Sequence, residues 1–207
     1  MGSRIMHVII ADLVAKKLEI QDKTSFLIGG IAADAVHSRK EKEISHFYTG
    51  STKNYTRKID YDAFFNKYKV YKDFPFILGY YTHLIADDIW LQGFYLPWLK
   101  NRIDHNPKIL PLYHHDFKLL NGKLLQYYDS DKSLFHTLNM NANLVCIDEI
   151  TVENIYSFKS SVFEDMLYPQ QDLYEPLQVF TLDQMIGYIE TSLHKSVFHL
   201  EQLRIIK

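Results

Sequence analysis

The segment Phe76-Ile-Leu-Gly-Tyr-Tyr-Thr-His-Leu-Ile-Ala-Asp-Asp-Ile-Trp90 reads as a buried helix, yet it carries His83, Asp87 and Asp88. Ionisable groups are costly to desolvate and are rarely buried without partners or a metal. A fold that accepts this helix in its interior must therefore bring something to meet those three side chains. His83 and Asp87 are four residues apart, so one helical face presents both on successive turns. That spacing suits chelation of a divalent cation, and it equally suits a hydrogen-bonded core pair. Asp88 points about 100° away around the helix, towards the surface or an outer layer of the site.

Helical periodicity dominates the rest of the chain, which predicts an all-α, single-domain multi-helix bundle over 1–207. His7 shares a stripe with Ala11, Val14, Ala15 and Leu18 and so faces inward, with Asp12, Lys16 and Lys17 on the other side. A second helix is expected from Thr24 or Ser25 as N-cap, with Asp34 on its inner face. Gly29 and Gly30 cost helix propensity, which points to close approach by a neighbouring helix. Residues 38–60 are polar and basic and read as a long loop carrying His46-Phe47. Helices are expected over 61–70, 74–89, 93–103 and 131–144. Leu119–Leu125 is read as helical although Asn121-Gly122 could turn a hairpin. Thr151 and Thr181 are read as N-caps, the latter boxed with Gln184.

Two carboxylates and three imidazoles, Asp34, Asp87, His7, His46 and His83, thus come from four separate elements. Such an N/O donor set suits Zn²⁺, with Fe, Mn or Ni as other candidates. His37 follows Asp34 by three residues and either faces the site or caps the helix end. His114 and His115, in the Tyr-His-His-Asp-Phe stretch, are read as loop-borne candidates for an additional ligand or outer-layer role, as is Asp88. No Gly-rich phosphate loop and no Gly-x-Ser-x-Gly elbow is present.

Composition narrows the function classes. The formal net charge is only −2, which argues against a strongly electrostatic nucleic-acid binder. The charges are uneven: residues 38–72 hold nine Lys or Arg against four acids, an imbalance read as a solvated face. A single cysteine, Cys146, rules out an intramolecular disulfide and fits a cytoplasmic setting. No signal-peptide cleavage pattern is read, and ionisable groups amid residues 74–99 argue against a transmembrane segment.

Taken together, Leu27-Ile-Gly-Gly-Ile-Ala-Ala-Asp34, His46-Phe47 and Gly79-x-x-x-His83-x-x-x-Asp87 resemble the zinc-dependent phospholipase C family, which shares its fold with single-strand-specific zinc nucleases. The resemblance covers roughly residues 1 to 90. It implies that Asp34, His46, His83 and Asp87 bind one zinc, that His7 binds a second bridged by Asp87, and that Asp34 acts as general base. Ala33 stands where the family pattern has proline, and the later His…His-x-x-x-Glu set is missing, so a mono- or dinuclear centre is expected. The implied activity is metal-dependent hydrolysis of a small-molecule phosphate ester. The alternatives are a nucleotide or nucleic-acid phosphohydrolase on the same centre, or a helical binding protein with a hydrogen-bonded polar core.

Overall fold

The computed structural model describes residues 3–129 and 132–205. Helices α1 (Arg4–Lys17), α2 (Lys23–Ala32) and α5 (Pro75–Trp90) form the centre, and the longer α7 (Ile109–Tyr128) and α10 (Leu182–Ile205) flank them. Helices α3 (Arg39–Ser45), α4 (Tyr61–Lys67), α6 (Lys100–His105), α8 (Ser133–Asn139) and α9 (Val152–Asp165) complete an all-α architecture. Its one sheet among the described residues is a two-stranded hairpin, β1 (Tyr48–Thr49) antiparallel to β2 (Lys58–Ile59). None of the helices is long and apolar enough to cross a membrane, within the described residues.

The centre is set by a glycine crossing. A Cβ on Gly29 would lie 2.0 Å from the carbonyl oxygen of Phe76, and one on Gly79 would lie 2.0 Å from that of Phe26. Helices α2 and α5 therefore touch backbone to backbone, which no residue with a side chain allows without pushing them apart. This close approach carries the site. It brings the Gly30 carbonyl within 2.9 Å of His83 Nδ1.

Several local expectations need correction. Asp22, rather than Thr24 or Ser25, caps α2, accepting from the Ser25 N–H at 3.0 Å. Helix α2 ends at Ala32, so Asp34 stands in the turn beyond it. Asp12 lies inside rather than on the outer face, buried between Lys16 and Lys23. Residues 38–60 are not a loop throughout: Ser38 and Glu41 form a capping box that starts α3, and the hairpin follows. Asn121 and Gly122 lie within α7, as the helical reading of that stretch expected.

The central helix α5 does not stop at Trp90. It continues through a wider π-helical stretch, Leu91–Leu99, into α6, and Pro97 sits inside that stretch. Proline lacks the N–H that a helix interior needs, and a π-helical stretch relieves that conflict. The Trp90 indole stacks on Phe94 at 4.8 Å and meets Phe117, Phe180 and Tyr188 at 5.2–5.5 Å. This aromatic cluster fixes the end of α5 just beyond Asp87. Tyr80, Tyr81 and Trp90 are fully buried in the core.

Candidate metal centre

Four elements deliver the five predicted donors to one buried point. His7 comes from the first turns of α1, Asp34 from the turn after α2, His46 from the C-cap of α3, and His83 with Asp87 from α5. His7, His46, His83 and Asp87 are each no more than 2% exposed. Asp87 lies between two sets of imidazoles. Its Oδ1 is 3.2 Å from His7 Nε2, while its Oδ2 is 3.2 Å from His46 Nε2 and 3.8 Å from His83 Nε2. On the other side, Asp34 Oδ1 is 3.3 Å from His46 Nε2.

The ring orientations are held from behind. His83 Nδ1–H donates to the Gly30 carbonyl, which leaves its Nε2 lone pair for the site. Ser45 Oγ donates to the Ala33 carbonyl at 2.8 Å and so accepts from His46 Nδ1–H at 2.9 Å. Tyr80 in turn fixes this corner by donating from its hydroxyl to the Ser45 carbonyl at 2.7 Å. In their neutral forms both imidazoles thus aim Nε2 lone pairs at each other, 3.3 Å apart. Two lone pairs face each other favourably only if a cation or a proton lies between them. The residue after His46, Phe47, takes φ of 51°, a left-handed conformation that costs energy in a non-glycine residue.

His7 adds a second indication. Its ring stacks on that of His83 with centroids 3.9 Å apart. Its Nε2 faces Asp87 Oδ1 at 3.2 Å, and its buried Nδ1 has no hydrogen-bond partner among the described residues. Buried polar nitrogens left this way are uncommon and call for a bound group. Two overlapping donor sets, His7–His83–Asp87 and Asp34–His46–His83, are each compact enough to hold a metal ion. The residues therefore fit a metal of the zinc type, since imidazole and carboxylate together suit it.

Electrostatics shows what stands in for a cation. Burial works against ionisation of Asp34, and Lys42 beside it, with His46, outweighs burial and holds the carboxyl well below its usual range. Burial likewise opposes ionisation of Asp87, and hydrogen bonds from His46 and His7 help hold it well below that range. Burial also disfavours charging His46, yet Asp34 and Asp87 prevail and raise its pKa above 6.5. For His83, burial and then the neighbouring His7 push the pKa down to about 3. In the absence of metal, a proton on His46 Nε2 together with the Lys42 ammonium thus offsets the two carboxylates.

The sign of the pH dependence follows. The raised His46 pKa gives the metal-free fold a stabilising term that is fully present below 6.5 and lost as pH rises through the folded value. The depressed Asp34 and Asp87 contribute above 3.8, and that term is lost as pH falls. Zinc competes with the His46 proton, so its affinity should climb with pH up to the raised folded value and is still limited by that proton at pH 6.5. Calorimetric titration with zinc near that pH, in buffers of different ionisation enthalpy, should show release of about one proton per ion. Binding without proton release would remove His46 from the ligand set.

The other candidates do not join these groups. His37 is exposed, with Nε2 at 3.3 Å from Asn154 Oδ1, so it neither faces the site nor caps α2. Asp88 turns away from the donors and accepts from the Ile59 N–H at 3.2 Å, anchoring β2 to α5. His114 and His115 lie on α7 rather than in a loop. His115 pairs with Glu175 at 2.6 Å, and His114 is exposed at the rim of the cleft described next. Asp116 is buried and accepts from the backbone N–H groups of Gln178, Val179 and Phe180, which makes it an anchor for the segment leading into α10.

A cleft of about 470 Å³ opens beside the donors. Lys42, Tyr48 and Arg57 line one side, and Tyr95, Leu110 and Tyr113 are among the residues of the other. Sequence reasoning missed Lys42, Tyr48 and Arg57. They belong to the basic run read as a solvated face, and their one visible signal was proximity to His46.

Residues 6–90 match the family described as zinc dependent phospholipase C. The matched segment contains all five donors, and the family is zinc-dependent, in keeping with His/Asp groups able to hold a metal ion. No curated protein and no solved structure matches the chain. The family match supports the resemblance drawn from the Gly-x-x-x-His-x-x-x-Asp pattern and a zinc-dependent, phosphodiesterase-like hydrolase.

Proposed function

We propose that this protein hydrolyses a phosphate ester at a zinc centre built from His7, Asp34, His46, His83 and Asp87. The observation that carries this reading is the pair of imidazoles aimed Nε2 to Nε2 across 3.3 Å, with one oxygen of Asp87 on each side of the site. In this reading Asp34, His46, His83 and Asp87 hold one ion. His7 and Oδ1 of Asp87 offer donors to a second. Zinc supplies a Lewis acid that lowers the pKa of water and neutralises phosphoryl oxygens.

The side chains do the rest. The Gly30 and Ser45 contacts keep His83 and His46 in the donor tautomer and prevent the rings from turning. Asp34, at the less buried edge of the site, is the group placed to accept a proton from an attacking water. The buried α1 face closes one side of the centre, and a substrate would approach from the cleft, which Trp90 and Tyr113 also line. The chain shows no nucleophile motif, which is in keeping with direct attack by water.

The test is an ester panel with zinc-reconstituted protein, spanning phosphodiesters, phosphomonoesters and carboxylic esters. Hydrolysis of a phosphate ester, abolished by chelator and restored by zinc, is the expected result. Activity confined to carboxylic esters would overturn phosphoryl transfer, and inertness towards every ester would favour a non-catalytic role.

A further inference from the structure

The cleft beside the metal donors has two unlike walls. Three cationic side chains, Arg39, Lys42 and Arg57, line it against a single carboxylate, Glu43. Lys42 Nζ lies 2.5 Å from Asp34 Oδ1, the same oxygen that faces His46. Its ammonium group is thus one carboxylate away from the donors. Arg57 is fixed more firmly. Its guanidinium lies 4.0 Å over the Tyr48 ring, and that ring is stacked parallel to His46 at 5.4 Å. Glu43 holds it from the side, with Oε2 at 2.5 Å from Nη2.

This stack sets the guanidinium in register with a metal-ligand histidine through a rigid aromatic spacer. Its side chain is only 16% exposed, unlike the 92% of Arg39. A guanidinium held by stacking and one carboxylate still presents further N–H donors, in a planar fork that matches phosphate oxygens. When Asp34 and Asp87 give their charge to a metal ion, Lys42 loses part of its counter-charge and faces the cleft. A cleft with that excess of positive charge attracts anions and repels a cationic headgroup.

Resting on the phosphate-ester reading, we propose that Lys42 and Arg57 form an anion clamp that selects substrates by charge. The substrate class is an ester with negative charge beyond that of a simple diester: a phosphomonoester dianion, or a diester whose headgroup carries a further anionic group. The apolar wall of Tyr95, Leu110 and Tyr113 takes the organic part. A zwitterionic ester with a quaternary ammonium group is disfavoured, because the cationic end would meet the clamp.

Two measurements test the clamp. In the first, inorganic phosphate is titrated calorimetrically into the zinc-loaded protein and into Lys42→Met and Arg57→Met, with zinc content checked in each. Each substitution should weaken phosphate binding roughly tenfold, as expected for loss of one charge-assisted contact. Arg57→Lys should restore part of the affinity. Unchanged phosphate affinity in both Met variants, with zinc still bound, overturns the clamp and leaves the proposed hydrolysis standing. In the second, p-nitrophenyl phosphate is compared with p-nitrophenyl phosphocholine, which share a leaving group. The ratio of their kcat/KM should favour the dianion and fall in both variants. Preference for the zwitterion overturns the clamp. Absence of hydrolysis with phosphate binding still lost in the variants counts against the hydrolase reading and for the clamp.

Discussion

Removal of zinc by a chelator should lower the melting temperature on the order of 10 °C. The proposed donors come from α1, the turn after α2, the C-cap of α3, and α5, so bound zinc would tie together four elements. A ligand bound by the native state alone stabilises it by mass action, about 4 kcal/mol when its free concentration is a thousandfold above Kd. For a chain of this length each kcal/mol moves the midpoint by about 2–4 °C. The metal-free protein should remain folded, because the His46 proton and the Lys42 contact neutralise part of the buried charge. Differential scanning calorimetry before and after verified zinc removal makes the comparison. A curve that does not move would mean that the polar cluster is a hydrogen-bonded core and no metal site.

Asp87→Asn should abolish stoichiometric zinc, whereas Asp88→Asn should leave it intact. The two residues are adjacent in sequence and point to different partners. Asp87 has an oxygen towards His7 and another towards His46 and His83. An asparagine keeps only one acceptor oxygen and no charge, so it can neither bridge nor offset a dication. Changes to residues that merely orient ligands already cost about 10–100-fold in metal affinity, and loss of a ligand should cost at least that. In Asp88→Asn the side-chain oxygen can still accept from the Ile59 N–H, and the contact to Lys195 at 3.9 Å is weak. Its stability should change by less than about 1 kcal/mol. Zinc content by mass spectrometry, with urea unfolding of both variants, decides the matter. Equal zinc content in the two would contradict the assignment of the α5 face.

The parts of the fold legible in the sequence are those in which local chemistry and tertiary packing agree. The Gly29 and Gly30 signal foresaw a close neighbour, and α5 supplies it through Gly79. The inward stripe of α1 placed His7 inside, and the four-residue spacing placed His83 and Asp87 on one face. The Thr151 and Thr181 caps form as read. Where surface chemistry and site chemistry overlap, the sequence is ambiguous. The basic run from residue 38 hid a capping box at Ser38 and Glu41, and with it the helix that carries Lys42 to Asp34. His114 and His115 are read as loop-borne, and Pro107 and Pro111 just before them would ordinarily interrupt a helix. Pro111, however, falls in the first turn of α7, where its missing N–H has no partner to lose. Asp12 looked exposed because its lysine neighbours are, and only the fold brings Lys23 across to it.

The most direct measurement is a crystal structure of the zinc-loaded protein with anomalous data collected on both sides of the zinc edge. The account predicts an anomalous peak about 2.0–2.2 Å from His46 Nε2, His83 Nε2 and oxygens of Asp34 and Asp87. A second peak beside His7 and Oδ1 of Asp87 would make the centre dinuclear. No peak among these residues in a zinc-soaked, ordered crystal, or a peak found only at a surface pair such as His115 and Glu175, would contradict the account.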